Sequence, residues 1–448
     1  MRGSRGRLHC VVVGAGIGGL AAALSLHEIG ADVEILEAVR EVRALGVGIN
    51  LLPHAVRELD ALGLRAELEA RSVAPSLLLY CTRRGQEIWR EPRGLAAGYP
   101  WPQLSIHRGV LQEVLLEAVT ARMGAEVLHL GHRLARIETG AERCTAVLAD
   151  GSRVEADLVV AADGIHSAAR AQWYHGEGPL RWNGSLLWRG TAETAPVLDG
   201  RTMVWAGHPE QKFVGYPIAD VDGGRQLFNF IAELRRPDSD LAAQEDWNRE
   251  GSLDDFLPAF ESWDFGWLDV RAIVRAAPAT FLFPMVDRDP VPRWTFGRAT
   301  LLGDAAHPMY PIGSNGASQA ILDARVLAGC LLRHRDDVDE ALARYERARG
   351  PATAAIVHAN RGLGPELPMQ LVEERAPDGF SDIGDVITPE EIAQVTERYR
   401  ATAGFSLTAL RRGVSLLEEP YAQPDADGDA LDYDVDVNTG TVTPDDAG

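Results

Sequence analysis

The chain has 448 residues, of which 46% are hydrophobic, and a formal net charge of −21. That length can bury a large core and suggests two or three domains. The acidic balance argues against non-specific binding to nucleic acid or an anionic membrane. No apolar run is long enough to span a bilayer, and the basic opening MRGSRGRLHC leads into a glycine-broken element, not a cleavable apolar segment. A soluble, cytoplasmic protein is therefore expected. The four cysteines, Cys10, Cys81, Cys144 and Cys330, show no metal-ligand spacing and ask for neither disulfides nor zinc. Lys212 is the only lysine, so arginine carries the positive charge.

The first element sets the pattern. Leu8 to Val13 is a short β-branched run of the kind buried in a parallel sheet. It breaks into Gly14, Gly16 and Gly19, spaced G-x-G-x-x-G, with Gly18 beside them. An alanine- and leucine-rich helix follows to about Ile29, and a second strand, Val33 to Leu36, ends on Glu37. Each part has a physical task. Gly14 allows the tight turn, Gly16 lets backbone amides approach a pyrophosphate, and Gly19 lets the helix lie on the strand. The helix N-terminus adds partial positive charge. Glu37 stands where a carboxylate accepts hydrogen bonds from an adenosine ribose. The alternative is a β-α-β unit that binds nothing.

Next, Gly46 and Gly48 bracket a turn, and His54 to Leu62 reads as a short amphipathic helix. SLLLYCTRRGQEIWREP is a hairpin about Arg84-Gly85. A helix runs from near Arg108 to Gly124, AEVLHL is a strand, and residues 133–154 form a meander. From about Pro179 to Pro284 short β runs rich in tryptophan predict a mostly antiparallel sheet, with a helical piece at SLDDFLPAFESW. The stretch from Ala299 to His334 is strand, loop and long helix. ITPEEIAQVTERYRATAG is a further helix. Beyond Pro420 the chain carries eight aspartates and no basic residue, the composition of a solvated, disordered tail.

Two further motifs accompany the first. Residues 157–170 run from a strand into Asp163-Gly164, with Ser167 and Arg170 following; Asp-Gly by itself is an ordinary turn. The third motif is a strand ending at Gly303-Asp304, where a carboxylate can face cofactor hydroxyls. The loop Pro311-Ile312-Gly313-Ser314-Asn315-Gly316 then enters a helix, whose N-terminus would favour negative charge on a reduced ring by about 1 kcal/mol.

In this order the motifs resemble the single-component (class A) flavoprotein aromatic hydroxylases, the family of para-hydroxybenzoate and salicylate hydroxylases, and within it the phenazine-modifying branch. The carrying stretches are LGVGIN, EPRGLAAGYPWPQLSIHRGVLQ, DWNREGSLDDFLPAFESWDFGWLDVR, FPMVDRDPVPRW and GRATLLGDAAHPMYPIGSNGASQAILDA. The resemblance implies an α/β fold: a Rossmann-like FAD-binding domain (1–71, 103–178, 285–361), an inserted, mostly antiparallel β-sheet substrate domain (72–102, 179–284), and a C-terminal helical region (362–419) before the tail. It implies FAD held non-covalently by Gly14, Gly16, Gly19, Glu37, Arg108, Gln112 and Asp304, with Gly18 and Ala38 alongside. Val47, Gly48, Pro311, Gly313, Asn315 and Gly316 would lie against the isoalloxazine. Asp163 and Arg170 match the segment that the family associates with both FAD and the nicotinamide cofactor. The loop GSNGAS is one residue longer than the common family form, as in the phenazine branch. With one nucleotide fingerprint, NAD(P)H would bind transiently over the flavin.

The implied reaction is oxygen transfer from a C4a-hydroperoxide of reduced FAD to a small aromatic or heteroaromatic substrate, with O2 and NAD(P)H consumed. The protein then has to exclude water, position the ring and, where useful, remove a proton. Tyr216 is a candidate for hydrogen bonding a substrate oxygen, or else a half-buried sheet residue. Arg189 is a candidate partner for a substrate carboxylate or the flavin, or else a structural ion pair. His54 is a candidate proton acceptor, or else a helix-surface histidine. His307 is expected to stabilise its loop, Met309 and Tyr310 to line the pocket, and the tryptophans to be mostly core. A monomer or homodimer is expected. Competing readings are a flavin-dependent halogenase, disfavoured because no W-x-W-x-I-P segment or early lysine occurs, and a non-enzymatic flavin-binding sensor or scaffold using the acidic tail.

Overall fold

A computed structural model describes residues 7–42, 46–237, 249–411 and 413–418. The acidic tail lies outside the described residues.

Two large sheets organise the molecule. The first has six strands in the order Thr295–Phe296, Ala299–Leu301, Leu158–Ala161, His9–Val13, Asp32–Glu37 and Leu128–Leu130. All its pairings are parallel except the one between the first two strands. Its central strands are buried on both faces, which is why they are continuous runs of valine, leucine and alanine. The register aligns the strand ends: Val13 sits opposite Ala161, and Ala161 opposite Leu301. The three motifs follow these ends, so they leave the sheet at one carboxyl edge. That edge is where open α/β sheets bind ligands.

The helix Ile17–Glu28 is buried from Leu20 to Leu26. It lies so close to the helix Gly316–Arg333 that a Cβ on Gly18 would come within 3.0 Å of Leu302 and 3.2 Å of Ala320.

The second sheet has seven strands, ordered Thr280–Asp287, Arg181–Thr194, Arg225–Arg235, Gln211–Val221, Thr202–His208, Leu77–Cys81 and Glu87–Pro92. It is antiparallel except where Thr202–His208 meets Leu77–Cys81. One face packs an aromatic core of Trp188, Phe213, Phe228, Phe230, Phe256, Phe260 and Trp263. Alternation along the strands sends Trp205, Val214 and Tyr216 to the other face. There the helices Leu367–Arg375 and Pro389–Thr402 contribute Met369, Val372 and Ile392 to a shared cluster. The expected meander is a separate sheet of Leu134–Thr139, Cys144–Leu148 and Arg153–Ala156. All four cysteines are buried free thiols.

Two expectations need correction. SLDDFLPAFESW is not an α-helix but two 3-10 turns, Leu253–Asp255 and Leu257–Phe260. Phe256 breaks the run at φ −136°, Pro258 restarts it, and the kink turns both phenylalanines onto Trp188 and Trp263. AEVLHL is extended only over Leu128–Leu130, with a 3-10 turn at Ala125–Val127.

A buried charge cluster fixes the third motif. Asp323, on the helix after the loop, accepts the Gly303 N–H at 3.1 Å, meets His307 Nε2 at 2.5 Å and accepts from Arg349 Nε at 2.6 Å. This is the loop-stabilising role expected for His307. Burial would raise the Asp323 pKa, but His307 and Arg349 outweigh it and bring it down to about 2. A carboxylate lowered in the folded state stabilises fully above its unfolded value of 3.8, and that stabilisation is lost as pH falls through about 2. Asp323→Asn should therefore destabilise by about 3 kcal/mol at neutral pH, because Arg349 loses its buried partner. Denaturant unfolding at pH 7 and between pH 4 and pH 2 checks both points: the variant should show a shallower loss on acidification.

Candidate active site

The glycine-rich turn is shaped by close approach. Gly14 has φ +103° and its Cβ would lie 2.5 Å from the Ala162 carbonyl oxygen, while a Cβ on Gly19 would lie 1.9 Å from that of Gly14. A Cβ on Gly16 would meet nothing within 4 Å, so the helix N-terminus opens onto free space on that side. Ala15 is gripped from both sides: its N–H donates to Glu37 Oε2 at 2.7 Å, and its carbonyl accepts from Gln112 Nε2 at 2.7 Å. Glu37 Oε1 accepts from the Val39 N–H. The carboxylate thus has lone pairs left for hydroxyl donors.

A cavity of about 240 Å3 is lined by Gly14, Gly16, Glu37, Ala38, Asp163 and Gly164. It adjoins a second of about 340 Å3, with Gly16, Ala162 and Gly164 common to both. Gly18, Arg108, Asp304, Pro311, Asn315 and Gly316 line the larger one. Together they form one elongated cleft across the carboxyl edge of the parallel sheet. The Arg108 side chain makes no hydrogen bond or ion pair among the described residues, and burial raises the pKa of Asp304, with His307 and Arg108 opposing the rise. Asp163 Oδ2 accepts from the Ala168 N–H at 2.8 Å, whereas Oδ1 is buried without a partner. A bare helix N-terminus, a free guanidinium, an orphaned carboxylate oxygen and two open carboxylates together fit a dinucleotide bearing phosphates and hydroxyls. Arg170 has a different task from the one the resemblance implied. Fully buried, it donates to the carbonyls of Ala305, Ala306 and Asp289 and pairs with Glu177, bracing the second motif against the third.

The segment Gly46–Gly48 closes the far side. His107 Nδ1 accepts from the Gly109 N–H, so its Nε2 carries the proton donated to the Gly46 carbonyl at 3.0 Å. The Arg108 N–H donates to the Val47 carbonyl. From the second sheet, Asn229 Oδ1 accepts the Gly48 N–H at 2.7 Å, and the Gly48 carbonyl accepts from Tyr216 Oη at 2.8 Å and Arg189 Nη2 at 2.9 Å. Ile49 and Asn50, the residues next to Val47 and Gly48, line the cavity.

Tyr216 and Arg189 both reach the cavity, but their polar groups are partly committed. Burial, only partly offset by Arg189, pushes Tyr216 up to about 12, and its O–H is spent on Gly48. It is not a base near neutral pH, and it can only accept a hydrogen bond from a ligand. Arg189 keeps a buried Nε–H without a partner. His54 is corrected outright. The helix Pro53–Ala61 turns it inward, where it stacks on Phe405 and meets Gln319 Nε2, and burial lowers its pKa to about 3. It does not line the cavity and stays neutral at working pH.

The loop before the long helix is held by a residue that the sequence did not single out. Tyr399 Oη donates to Asn360 Oδ1 at 2.8 Å and accepts from Asn315 Nδ2 at 2.7 Å. Gly313, at φ +68°, has no room for a Cβ, which would lie 2.0 Å from that hydroxyl. Lys212, Glu233 and Trp205 also line the cavity unannounced. Met309, expected there, lines it too, whereas Tyr310 packs beside it in a small cluster with Leu187 and Met285. Period-two spacing from Tyr216 puts Val214 and Lys212 on its face, a signal present in QKFVGYPIA.

Residues 7–360 match the model of the FAD binding domain family. The chain belongs to this family. It is 46% identical to the phenazine 1,6-dicarboxylic acid hydroxylase PhzS of Lysobacter antibioticus over 361 residues, 78% of this chain and 88% of that one. It is 34% identical to the 3-amino-4-hydroxybenzoate 2-monooxygenase of Streptomyces cremeus, across 80% and 88% of the two chains. The fold matches Klebsiella pneumoniae HpxO, solved with FAD and uric acid, with a TM-score of 0.72 at 24% identity, covering 91% of this chain and 98% of that one. The protein is therefore an FAD-dependent aromatic hydroxylase, using NAD(P)H and O2 as its relatives do.

Two substitutions test how the Gly46–Gly48 segment and the Pro311–Gly316 loop are held. Gly48→Ala would place a Cβ 2.7 Å from Asn229 and 2.8 Å from Ile218. The forced shift should cost about 1.4 kcal/mol and weaken FAD retention about tenfold, measured by titrating the apoprotein with FAD. Tyr399→Phe leaves Asn315 and Asn360 each short of a buried partner. It should lower stability by about 2 kcal/mol in denaturant unfolding, with FAD retention falling alongside.

Proposed function

We propose that this hydroxylase adds one oxygen atom to a planar, fused-ring heteroaromatic acid of the phenazine type. The observation that carries the reading is the composition of the cavity beyond the flavin-side loop. Leu187, Val214, Ile231, Met285 and Met309 give apolar walls, and Arg189 gives a buried, unspent donor. Apolar surface sequesters flat rings, and one guanidinium N–H suits a ring carboxylate. The identity with a phenazine dicarboxylic acid hydroxylase supports the same substrate class.

Bound FAD supplies the oxygen-activating chemistry, with electrons from NAD(P)H and the second oxygen atom leaving as water. The chain supplies binding, orientation and dryness. Glu37, Arg108, Gln112, Asp163 and Asp304 hold the cofactor, and the N-terminus of Gly316–Arg333 favours negative charge at the ring. Tyr216 accepts a hydrogen bond from a substrate N–H or O–H, and Arg189 fixes the carboxylate. The aromatic carbon loses a proton and gains a hydroxyl; neither Tyr216 nor His54 takes that proton, since each is locked in one protonation state at neutral pH.

The same reading divides the chain into a discontinuous FAD-binding unit (1–71, 103–178, 285–361), a substrate unit (72–102, 179–284) and a helical region (362–419). Pairing of the hairpin Leu77–Pro92 with the edge of the second sheet supports that division. A cytoplasmic monomer or homodimer completes it, supported by four unpaired thiols and by the lack, among the described residues, of a helix long and apolar enough to cross a membrane.

Anaerobic mixing with NAD(P)H should bleach the flavin, faster with a phenazine carboxylic acid present, and aerobic turnover should give a product one oxygen heavier. If 3-amino-4-hydroxybenzoate stimulates reduction and phenazine acids do not, the substrate is a single ring and the proposal fails.

A further inference from the structure

The only lysine of the chain is buried at the wall of the substrate cavity, 3% exposed, and neither the cofactor site nor the flavin-side clamp uses it. Its ammonium lies 2.9 Å from Glu233 Oε2 and 2.5 Å from Glu366 Oε2. An ammonium has three hydrogens, and these contacts account for two. Beside it, Trp205 is 5% exposed, lines the same cavity, and has an indole N–H with no partner.

Strand register locates this group. Lys212 pairs with Glu233, Val214 with Ile231, and Tyr216 with Asn229, while Leu187 faces Glu233 from the next strand. At about 3.3 Å per residue, Lys212 stands about 13 Å along the strand from Tyr216, which is anchored to Gly48 at the flavin side. The row between them carries Val214 and Ile231, with Arg189 opposite Ile231 and its guanidinium turned back to the Gly48 carbonyl, while Leu187 stands level with Lys212. Val214 and Ile231 thus give a flat ring apolar surface between Tyr216 and Lys212, with Arg189 at one edge of that row and Lys212 and Glu233 one row further from Tyr216.

We propose that Lys212, held between Glu233 and Glu366 and helped by Trp205, is a specificity-determining residue that donates a hydrogen bond to a second carboxylate on the substrate ring most distant from the flavin. This rests on the fused-ring reading above and names the substrate as a dicarboxylic acid. Stability alone gives little reason for the cluster, since well-packed apolar side chains commonly do as well as a buried ion pair. Burial raises Glu366, with Lys212 opposing and Glu233 reinforcing, which lessens the negative charge that a ligand carboxylate meets. What remains at the cavity wall is one ammonium hydrogen and one indole N–H without a protein partner.

The test is ligand binding to the FAD-loaded protein, read from the absorbance change of the bound flavin with phenazine-1-carboxylate and phenazine-1,6-dicarboxylate. The wild type should bind the diacid about tenfold more tightly, as a charge-assisted hydrogen bond provides. In Lys212→Met/Glu233→Gln, which removes cation and anion together, the ratio should fall to about one. A merely structural brace would shift both acids alike and leave the ratio where it was, overturning the inference. If the double variant does not hold FAD, Glu366→Gln carries the test, because it keeps the ammonium. There the diacid preference must persist, and its loss overturns the inference. Equal binding of both acids by the wild type sinks the inference alone. Failure of either acid to perturb the wild-type flavin removes the phenazine reading and this inference with it.

Discussion

The backbone of three residues, Gly46 to Gly48, ties the two large sheets to a common site. Every carbonyl in it is taken. The strand-to-helix corner at His107 and Arg108 holds the first two, and the second sheet, through Tyr216 and Arg189, holds the third while Asn229 takes the Gly48 N–H. Buried backbone groups that lack partners cost more than the net gain of any one bond. The segment therefore has one arrangement that satisfies it, and that arrangement sets the distance between the cleft at the first sheet's edge and the second sheet. Glycine at 48 follows from crowding: Asn229 and Ile218 occupy the space of a side chain.

The edge of the first sheet rests on register. Parallel pairing of Val13, Ala161 and Leu301 brings motifs nearly three hundred residues apart to one edge. Two buried cations then lock the turns that emerge there. Arg170 reaches from the second motif to the carbonyls of the third, and Arg349 holds Asp323, which holds Gly303 and His307. Both ions are worth their burial only because each has carbonyl or carboxylate oxygens waiting, with most hydrogens accounted for.

Much of this was legible from residues alone, and the limits have physical causes. The glycine fingerprint, the terminal Glu37 and the Gly-Asp turn announce themselves because backbone geometry restricts the side chains allowed there. Strand and helix positions were legible through their periods. What could not be read is which face of a regular element meets which neighbour. His54 sits on a short helix whose charged residues Arg57 and Glu58 are themselves buried and paired, with Glu58 also meeting Arg325 across the core, so the usual rule that charges mark the outside misled. Asn229 and Tyr399 act 181 and 84 residues from their partners, through contacts that no local pattern encodes.

The buried polar groups in and near the cavity walls, with His54 behind them, share one property: each is held in a single protonation state by what surrounds it. Tyr216 is kept a phenol, His54 a neutral ring, and Lys212, despite a burial that would strip its proton, an ammonium because Glu233 and Glu366 outweigh it. An enzyme relying on side-chain acid–base catalysis would place such groups near neutrality. This one fixes donors and acceptors in advance, which suits a reaction whose reactive species belongs to the cofactor and whose chief hazards are water and a misplaced ring.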